Sequence, residues 1–320
     1  MRPFEPTWWL PGAHLPTIWG KKMRRRPLVH DRLERLTTPD GDHVTLARMG
    51  NPASGKRHLL VLHGLEGSIR AKYAHGLLAL ARARGWSGDL MLFRSCDDEI
   101  NSARRLYHSG ETSDLDFVVR RLLATTPGIE LVVCGVSLGG NVLVKWLGEL
   151  GGAAESLVLR AAAISVPFDL AASSRFLKHG LSRRYARHFL ATLLPKALTK
   201  LEQFPGAFDG ERARRARTFW EFDDAVTAPL HGFQGAADYY RLSSSLRVVA
   251  SVRVRTLLFS ALDDPFLPSE VLAEVVLRIA DAPMVVTDFT PRGGHVGWVE
   301  GVLWPSMYYM EHRVIEFLSQ

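Results

Sequence analysis

The chain has 320 residues, 47% of them hydrophobic and 23% charged, with a formal net charge of +7. That composition excludes a disordered, collagenous or repeat-built chain and leaves room for one large α/β domain or two small ones. The apolar runs fall short of the roughly 18 residues a membrane span needs. Met1-Arg2-Pro3-Phe4-Glu5-Pro6 also lacks the apolar core of a secretory signal.

Residues 1–42 are rich in Pro and Trp without a clear period, which predicts an N-terminal extension packing on the core. From residue 43 the chain alternates strand-like and helix-like runs. His58–Leu62 reads as a buried strand, Ala71–Arg84 as a helix, and Leu90–Phe93 as a second strand. A helix over Ser113–Ala124, a strand over Glu130–Cys134, a helix over Asn141–Leu150 and a strand over Leu157–Val166 follow. Between 167 and 250 strands give way to helical segments. Strands resume at Arg255–Phe259 and Met284–Thr287, and a helix over Ser306–Leu318 closes the chain.

Strands alternating with helices predict an α/β fold with a mostly parallel central sheet and helices on both faces. Residues 43–166 and 251–320 would form the core, and 167–250 an inserted helical cap. Cys96 and Cys134 both sit beside apolar strand-like runs. Two buried free thiols suit a cytoplasmic, reducing location better than a disulfide framework.

Gly135-Val136-Ser137-Leu138-Gly139 is a G-x-S-x-G pattern. A serine hydroxyl is a weak nucleophile and must be exposed, oriented and paired with a base. A sharp strand-to-helix turn does this, and the flanking glycines permit it. Taken alone the pattern is weak. A strand before it and a helix after it are the confirming context.

His63-Gly64-Leu65-Glu66-Gly67 follows the first buried strand. Acyl transfer develops charge on a carbonyl oxygen, so backbone N–H groups must wait for it. Leu138 would supply one and Leu65 the other, while His63 is expected to hold the loop. Among the twelve histidines, His295 stands in Gly293-Gly294-His295-Val296-Gly297, late and after a strand, where the order Ser, acid, His places the base. The acid should end the preceding strand, where Asp263-Asp264-Pro265 offers two carboxylates. Asp264 is preferred because the following Pro stiffens its turn, with Asp263 the alternative. Neither cofactor nor metal is called for, and no Rossmann, P-loop or zinc motif appears.

With these residues in view, the chain resembles the YheT-like branch of the α/β-hydrolases, which includes ABHD1/ABHD3-type lipid hydrolases. The resemblance runs over His14-Leu15-Pro16-Thr17-Ile18-Trp19, Phe93-Arg94-Ser95-Cys96, and 105–115. It continues through Phe222-Asp223-Asp224-Ala225-Val226-Thr227-Ala228-Pro229, His231-Gly232-Phe233, Asp238-Tyr239-Tyr240 and the His295 loop. Some relatives carry Arg-Gly where this chain has Arg94-Ser95. The resemblance implies an α/β-hydrolase fold, a Ser137–Asp264–His295 triad, and esterase or lipase activity on short- to medium-chain acyl esters or acylglycerol and phospholipid-type lipids. The membrane anchor of the eukaryotic members is not carried over.

The same triad would serve a thioesterase or amidase, and a non-catalytic binding protein on this scaffold is the alternative of another class. Lys21-Lys22-Met23-Arg24-Arg25-Arg26 and the run from Arg212 to Arg217 are read first as solvated basic faces. The second reading is peripheral contact with an anionic membrane surface. The expected ligand is a small-molecule or lipid ester, and no nucleic-acid partner is expected.

Overall fold

The computed structural model describes residues 2–24, 28–302 and 307–320. The chain opens with α1 (His14–Lys22), then β1 (Arg32–Thr37), β2 (His43–Met49), β3 (Arg57–Leu62), α2 (Lys72–Arg82), β4 (Ser87–Leu92) and α3 (Ser113–Thr125). β5 (Glu130–Val136), α4 (Leu138–Leu150) and β6 (Arg160–Ile164) follow. From there to β7 the described chain is helical: α5 (Leu170–Phe176), α6 (Ser182–Gln203), α7 (Gly210–Arg215), α8 (Phe219–Phe222), a π-helical turn (Asp223–Thr227), α9 (Ala228–His231) and α10 (Ala236–Ser243). β7 (Thr256–Ala261), α11 (Ser269–Arg278), β8 (Val285–Thr290), a small ribbon of β9 (Val299–Glu300) and β10 (Met307–Tyr308), and α12 (Tyr309–Ser319) complete it.

Among the described residues eight strands form one sheet, in the order β1-β2-β4-β3-β5-β6-β7-β8. β1 and β2 run antiparallel to their neighbours, and the rest are parallel. Because successive strand residues point to opposite faces, β3 sends Leu60 and Leu62 into one core with α3 and α4. Leu59 and Val61 enter a second core with α2 and α12. Both faces are covered, which is why β3 and β5 read as continuous apolar runs. Cys96 and Cys134 are buried and free, Cys134 within the second core.

Three elements differ from the sequence reading. β1 lies inside the stretch read as an extension; its charged, mostly exposed residues suit a sheet edge and hid the strand. α4 begins at Leu138, not Asn141. Gly139 and Gly140 are poor helix formers, but a side chain at Gly139 would collide with the backbone carbonyls of Leu62 and His63. The strand expected over 157–166 shortens to β6, because a 3₁₀ turn at Gly151–Ser156 occupies its approach. The expected start of the last helix at Ser306 lies outside the described residues.

The basic run 21–26 is split. Arg24 is 1% exposed, 3.1 Å from Glu311, and donates to the Val296 carbonyl at 3.0 Å. Lys21 and Lys22 are exposed, and Arg25 and Arg26 lie outside the described residues. In the run 212–217, Arg212 pairs with Asp224 at 2.7 Å, and Arg214 and Arg215 stand near Glu211 on the surface.

Arg94 is fully buried after β4 and meets Asp42 at 2.8 Å, Asp114 at 2.7 Å and Asp40 at 3.0 Å. It ties the β1–β2 turn to the start of α3. Ser95 beside it has φ 61, a conformation that favours glycine. Here the strain is offset locally: Ser95 Oγ donates to Asn101 Oδ1 at 2.6 Å and accepts from the Asn101 N–H at 3.1 Å. Arg94→Leu leaves three carboxylates facing one another, two of them buried. It is expected to cost about 3–5 kcal/mol, read as a lower urea midpoint at an unchanged m-value.

Candidate active site

β5 delivers the chain to Ser137 just past its end, and α4 carries it away. Ser137 has φ 54 and ψ −118, outside the regions most residues occupy. A side chain at Gly135 would strike the Gly139 carbonyl, so the G-x-S-x-G glycines allow the turn to fold this tightly. The Ser137 N–H donates to the Ile164 carbonyl at 2.8 Å, and its own carbonyl accepts from the Asn141 N–H at 3.0 Å. Both hydrogen bonds hold the strained residue in place.

Ser137 Oγ lies 3.0 Å from His295 Nε2, and His295 Nδ1 lies 2.8 Å from Asp264 Oδ2. Asp264 is 2% exposed, and its other oxygen accepts from the Phe266 N–H at 2.8 Å. Of the two candidate acids, Asp264 therefore faces the imidazole. Asp263 turns the other way and accepts from the Gly294 N–H at 2.9 Å, bracing the loop that carries His295. Burial raises the Asp263 carboxyl, and that N–H works against the rise. Phe266 stacks on the His295 ring at 4.1 Å and 12°.

Sequence reasoning missed what holds the His295 loop from the far side. The His295 N–H donates to Thr17 Oγ1 at 2.8 Å, and Thr17 Oγ1 donates to the Ala13 carbonyl at 2.7 Å. α1 packs so close that a side chain at Gly294 would meet Ala13 and Thr17, and one at Gly297 would meet Pro16. Val296 has φ 58, a rare conformation for a β-branched residue. Its N–H reaches Ser165 Oγ at 3.3 Å. The one available signal was the His14–Trp19 motif, which carried no chemistry of its own.

The loop after β3 lies beside Ser137, so close that a side chain at Gly64 would meet the serine side chain. Its N–H groups are spent one by one. Gly64 donates to the Tyr73 hydroxyl at 2.9 Å, Glu66 to the Tyr107 hydroxyl at 2.8 Å, and Gly67 to the Gly64 carbonyl at 2.9 Å. Leu65 N–H has no hydrogen-bond partner among the described residues, and neither has Leu138 N–H at the start of α4. Both leucines border the cavity that contains Ser137. The Tyr107 hydroxyl donates in turn to Glu66 Oε1 at 2.8 Å, and Lys196 of α6 reaches the same oxygen at 2.9 Å.

His63 braces this loop from inside. Its Nδ1 lies 2.7 Å from the Gly64 carbonyl, and its Nε2 accepts from the Phe93 N–H at 3.2 Å. Burial pushes its pKa down to about 4, against the Gly64 carbonyl, which pulls upward. Burial also lowers His75, His108 and His231.

The cavity over Ser137 measures about 140 Å³ and is lined mainly by apolar side chains, among them Leu106, Leu170, Phe189, Leu193 and Phe222. At the roughly 10–15 Å³ that one water needs, it holds on the order of ten water-sized groups. One ionisable group in its wall escaped the sequence reading. Asp223, in the π-helical turn, accepts from Thr227 Oγ1 and from the Tyr240 hydroxyl, each at 2.6 Å. Burial lifts its pKa to about 6 despite those two hydrogen bonds.

A family model described as the alpha/beta hydrolase fold matches residues 57–287. Among its relatives, YheT of Escherichia coli K12 is 38% identical over 99% of this chain and 93% of its own length. Mouse phospholipase ABHD3 is 28% identical over 96% of this chain and 78% of its own. Baker's yeast monoacylglycerol lipase is 28% identical over 78% of this chain and 56% of its own. Among solved structures, the Pyrococcus furiosus esterase Pf2001 superposes with a TM-score of 0.59 at 18% identity, covering 93% of this chain and 97% of that one.

Two outcomes follow from the geometry. Asp264→Asn should slow phosphonylation of Ser137 by a fluorophosphonate about 10⁴-fold, while Asp263→Asn should slow it by no more than about tenfold; equal losses would break the division of roles. The second concerns acid. A histidine whose folded pKa lies below its ordinary 6.5 lends stability above that value and loses it as pH falls toward the folded value. His63, His75, His108 and His231 all act in this sense, while Asp223, lifted to about 6, and the raised carboxyls of Asp114 and Asp263 act in the other. The denaturation midpoint is therefore expected to drop from pH 7 to pH 5, by up to about 1.4 kcal/mol per pH unit for each histidine.

Proposed function

The chain belongs to the YheT-like branch of the α/β-hydrolases, and we propose that it hydrolyses carboxylic esters through an acyl-enzyme on Ser137. The observation that carries this reading is the continuous line Asp264–His295–Ser137, at 2.8 and 3.0 Å, ending beside two unspent backbone N–H groups.

In the first half-reaction Ser137 Oγ attacks the ester carbonyl carbon as its proton passes to His295 Nε2. Asp264 accepts the hydrogen bond from Nδ1–H, fixes the tautomer that leaves Nε2 free to accept, and stabilises the imidazolium once formed. The carbonyl oxygen, now bearing the negative charge, is received by the N–H groups of Leu65 and Leu138. Each such donor is worth about 3 kcal/mol or more in a site of this kind. His295 returns the proton to the leaving alcohol as the tetrahedral intermediate collapses. Water then repeats the sequence on the acyl-enzyme, with His295 again as base, and releases the acid and free Ser137.

The apolar cavity supports acyl esters of short to medium chain, or acylglycerol and phospholipid-type lipids. Residues 167–250 act as the cap that shapes it, since Leu170, Phe189, Leu193, Phe222 and Leu230 all reach the cavity from there. Relatives named phospholipase and monoacylglycerol lipase point in the same direction.

The test pairs a fluorophosphonate probe, located by mass spectrometry, with turnover of a short-chain p-nitrophenyl ester. Label should fall on Ser137, and Ser137→Ala should lower kcat by about 10⁶-fold while remaining folded. Label on another residue, or a mutant that keeps turnover, would sink the assignment. A panel from acetyl to palmitoyl esters should show kcat/KM peaking at short or medium length and falling once the chain outgrows the cavity.

A further inference from the structure

The acidic residues are distributed unevenly. None occurs between Glu5 and Asp31, and none occurs in the stretch after Asp169 and before Glu202, although the chain holds 33 in all. These two segments meet in the fold. His14 Nδ1 lies 3.1 Å from the Tyr185 hydroxyl with the rings stacked, and Lys21 Nζ lies 3.2 Å from His188 Nε2. α1 thus lies alongside the first turns of α6.

The surface they share is apolar at its centre and cationic around it. Leu15 and Ile18, one turn apart on α1, are 45% and 41% exposed. Phe176, at the end of α5, and Leu181, just before α6, are 38% and 52% exposed. Lys21, Lys22, Lys178, Arg183, Arg184 and Arg187 are exposed among them. Among the described residues, none of these six lies within 4.0 Å of a carboxylate. Such a face differs from the 212–217 run, whose arginines stand beside Asp224 and Glu211.

We propose that this face, built by α1, the end of α5 and the start of α6, seats the protein on an anionic lipid surface. Apolar side chains flanked by cations are what an interfacial lipid contact needs: the apolar groups enter between headgroups while the cations meet their negative charge. A nucleic acid would be met by cations without the four exposed apolar side chains. Placement beside the site adds to the case. The helix that presents Arg183, Arg184 and Arg187 outward turns Phe189, Leu193 and Lys196 into the cavity over Ser137. An ester drawn from the lipid layer would thus enter next to the nucleophile. The inference extends the ester-hydrolase reading, and its test reads binding rather than turnover.

The experiment is co-sedimentation of the full chain, carrying Ser137→Ala, with vesicles of phosphatidylcholine alone or with 30% phosphatidylglycerol, at 0.1 M and 0.5 M NaCl. Three variants are compared: Lys178→Glu/Arg183→Glu/Arg187→Glu, Phe176→Ser/Leu181→Ser, and the control Arg214→Glu/Arg215→Glu. The expected result is binding to anionic vesicles that weakens at least tenfold in high salt. It should weaken about a hundredfold or more in the charge variant and about tenfold in the apolar variant, while the control keeps it. The charge changes lie on exposed positions, so retained thermal midpoints will certify the fold. No binding to anionic vesicles in low salt, or equal losses in the charge variant and the control, overturns the proposal. Since turnover plays no part, a protein that binds but never hydrolyses esters would sink the hydrolase reading and leave this one standing.

Discussion

The site depends first on how closely α4 approaches the end of β3. Gly139 has no side chain because the carbonyls of Leu62 and His63 occupy the place it would take. That contact lets the turn between β5 and α4 close over a single residue, and it forces Ser137 into a backbone conformation costing on the order of 1–3 kcal/mol. It also brings the loop after β3, which starts from those same carbonyls, up against the serine side chain. Ser137 and the N–H groups of Leu65 and Leu138 are thereby set relative to one another largely by packed backbone.

Around this fixed point the polar groups are arranged by subtraction. The loop 63–67 offers several N–H groups, and tyrosine hydroxyls and an internal turn take those of Gly64, Glu66 and Gly67 while leaving that of Leu65. The two aspartates after β7 divide similarly, one carboxylate for the imidazole and one for the backbone of the loop that carries it. His63 is held neutral by burial, which suits a ring that must donate on one side and accept on the other. In each case a neighbour that resembles a functional group is a brace for the group itself.

Features set by neighbours in the chain were legible in the sequence. A buried strand, a glycine-flanked serine and a helix are contiguous, so the sharp turn at Ser137 could be read directly. The order of elements singled out His295 among twelve histidines, and Pro265 tipped the choice between the paired aspartates. What escaped was set by distance along the chain. Thr17 meets His295 across 278 positions, and Arg24 reaches Glu311 from inside a run that looked solvated. β1 carries an edge strand's charges and so lacks the alternation that marks a half-buried strand. The start of α4 was obscured because its glycines answer to β3, not to helix propensity. Asp223 could not be identified from its motif, since only the packing of Tyr240 and Thr227 shows which way its carboxylate turns.

Lys196 gives the architecture a mechanical property. It projects from α6, whose other residues wall the cavity, and its ammonium grips Glu66, the residue next to Leu65. The wall of the pocket and the loop carrying Leu65 are therefore joined by one ion pair, Lys196 to Glu66, whose carboxylate the Tyr107 hydroxyl also holds. Any outward displacement of α6 would therefore act on Glu66, one residue from Leu65.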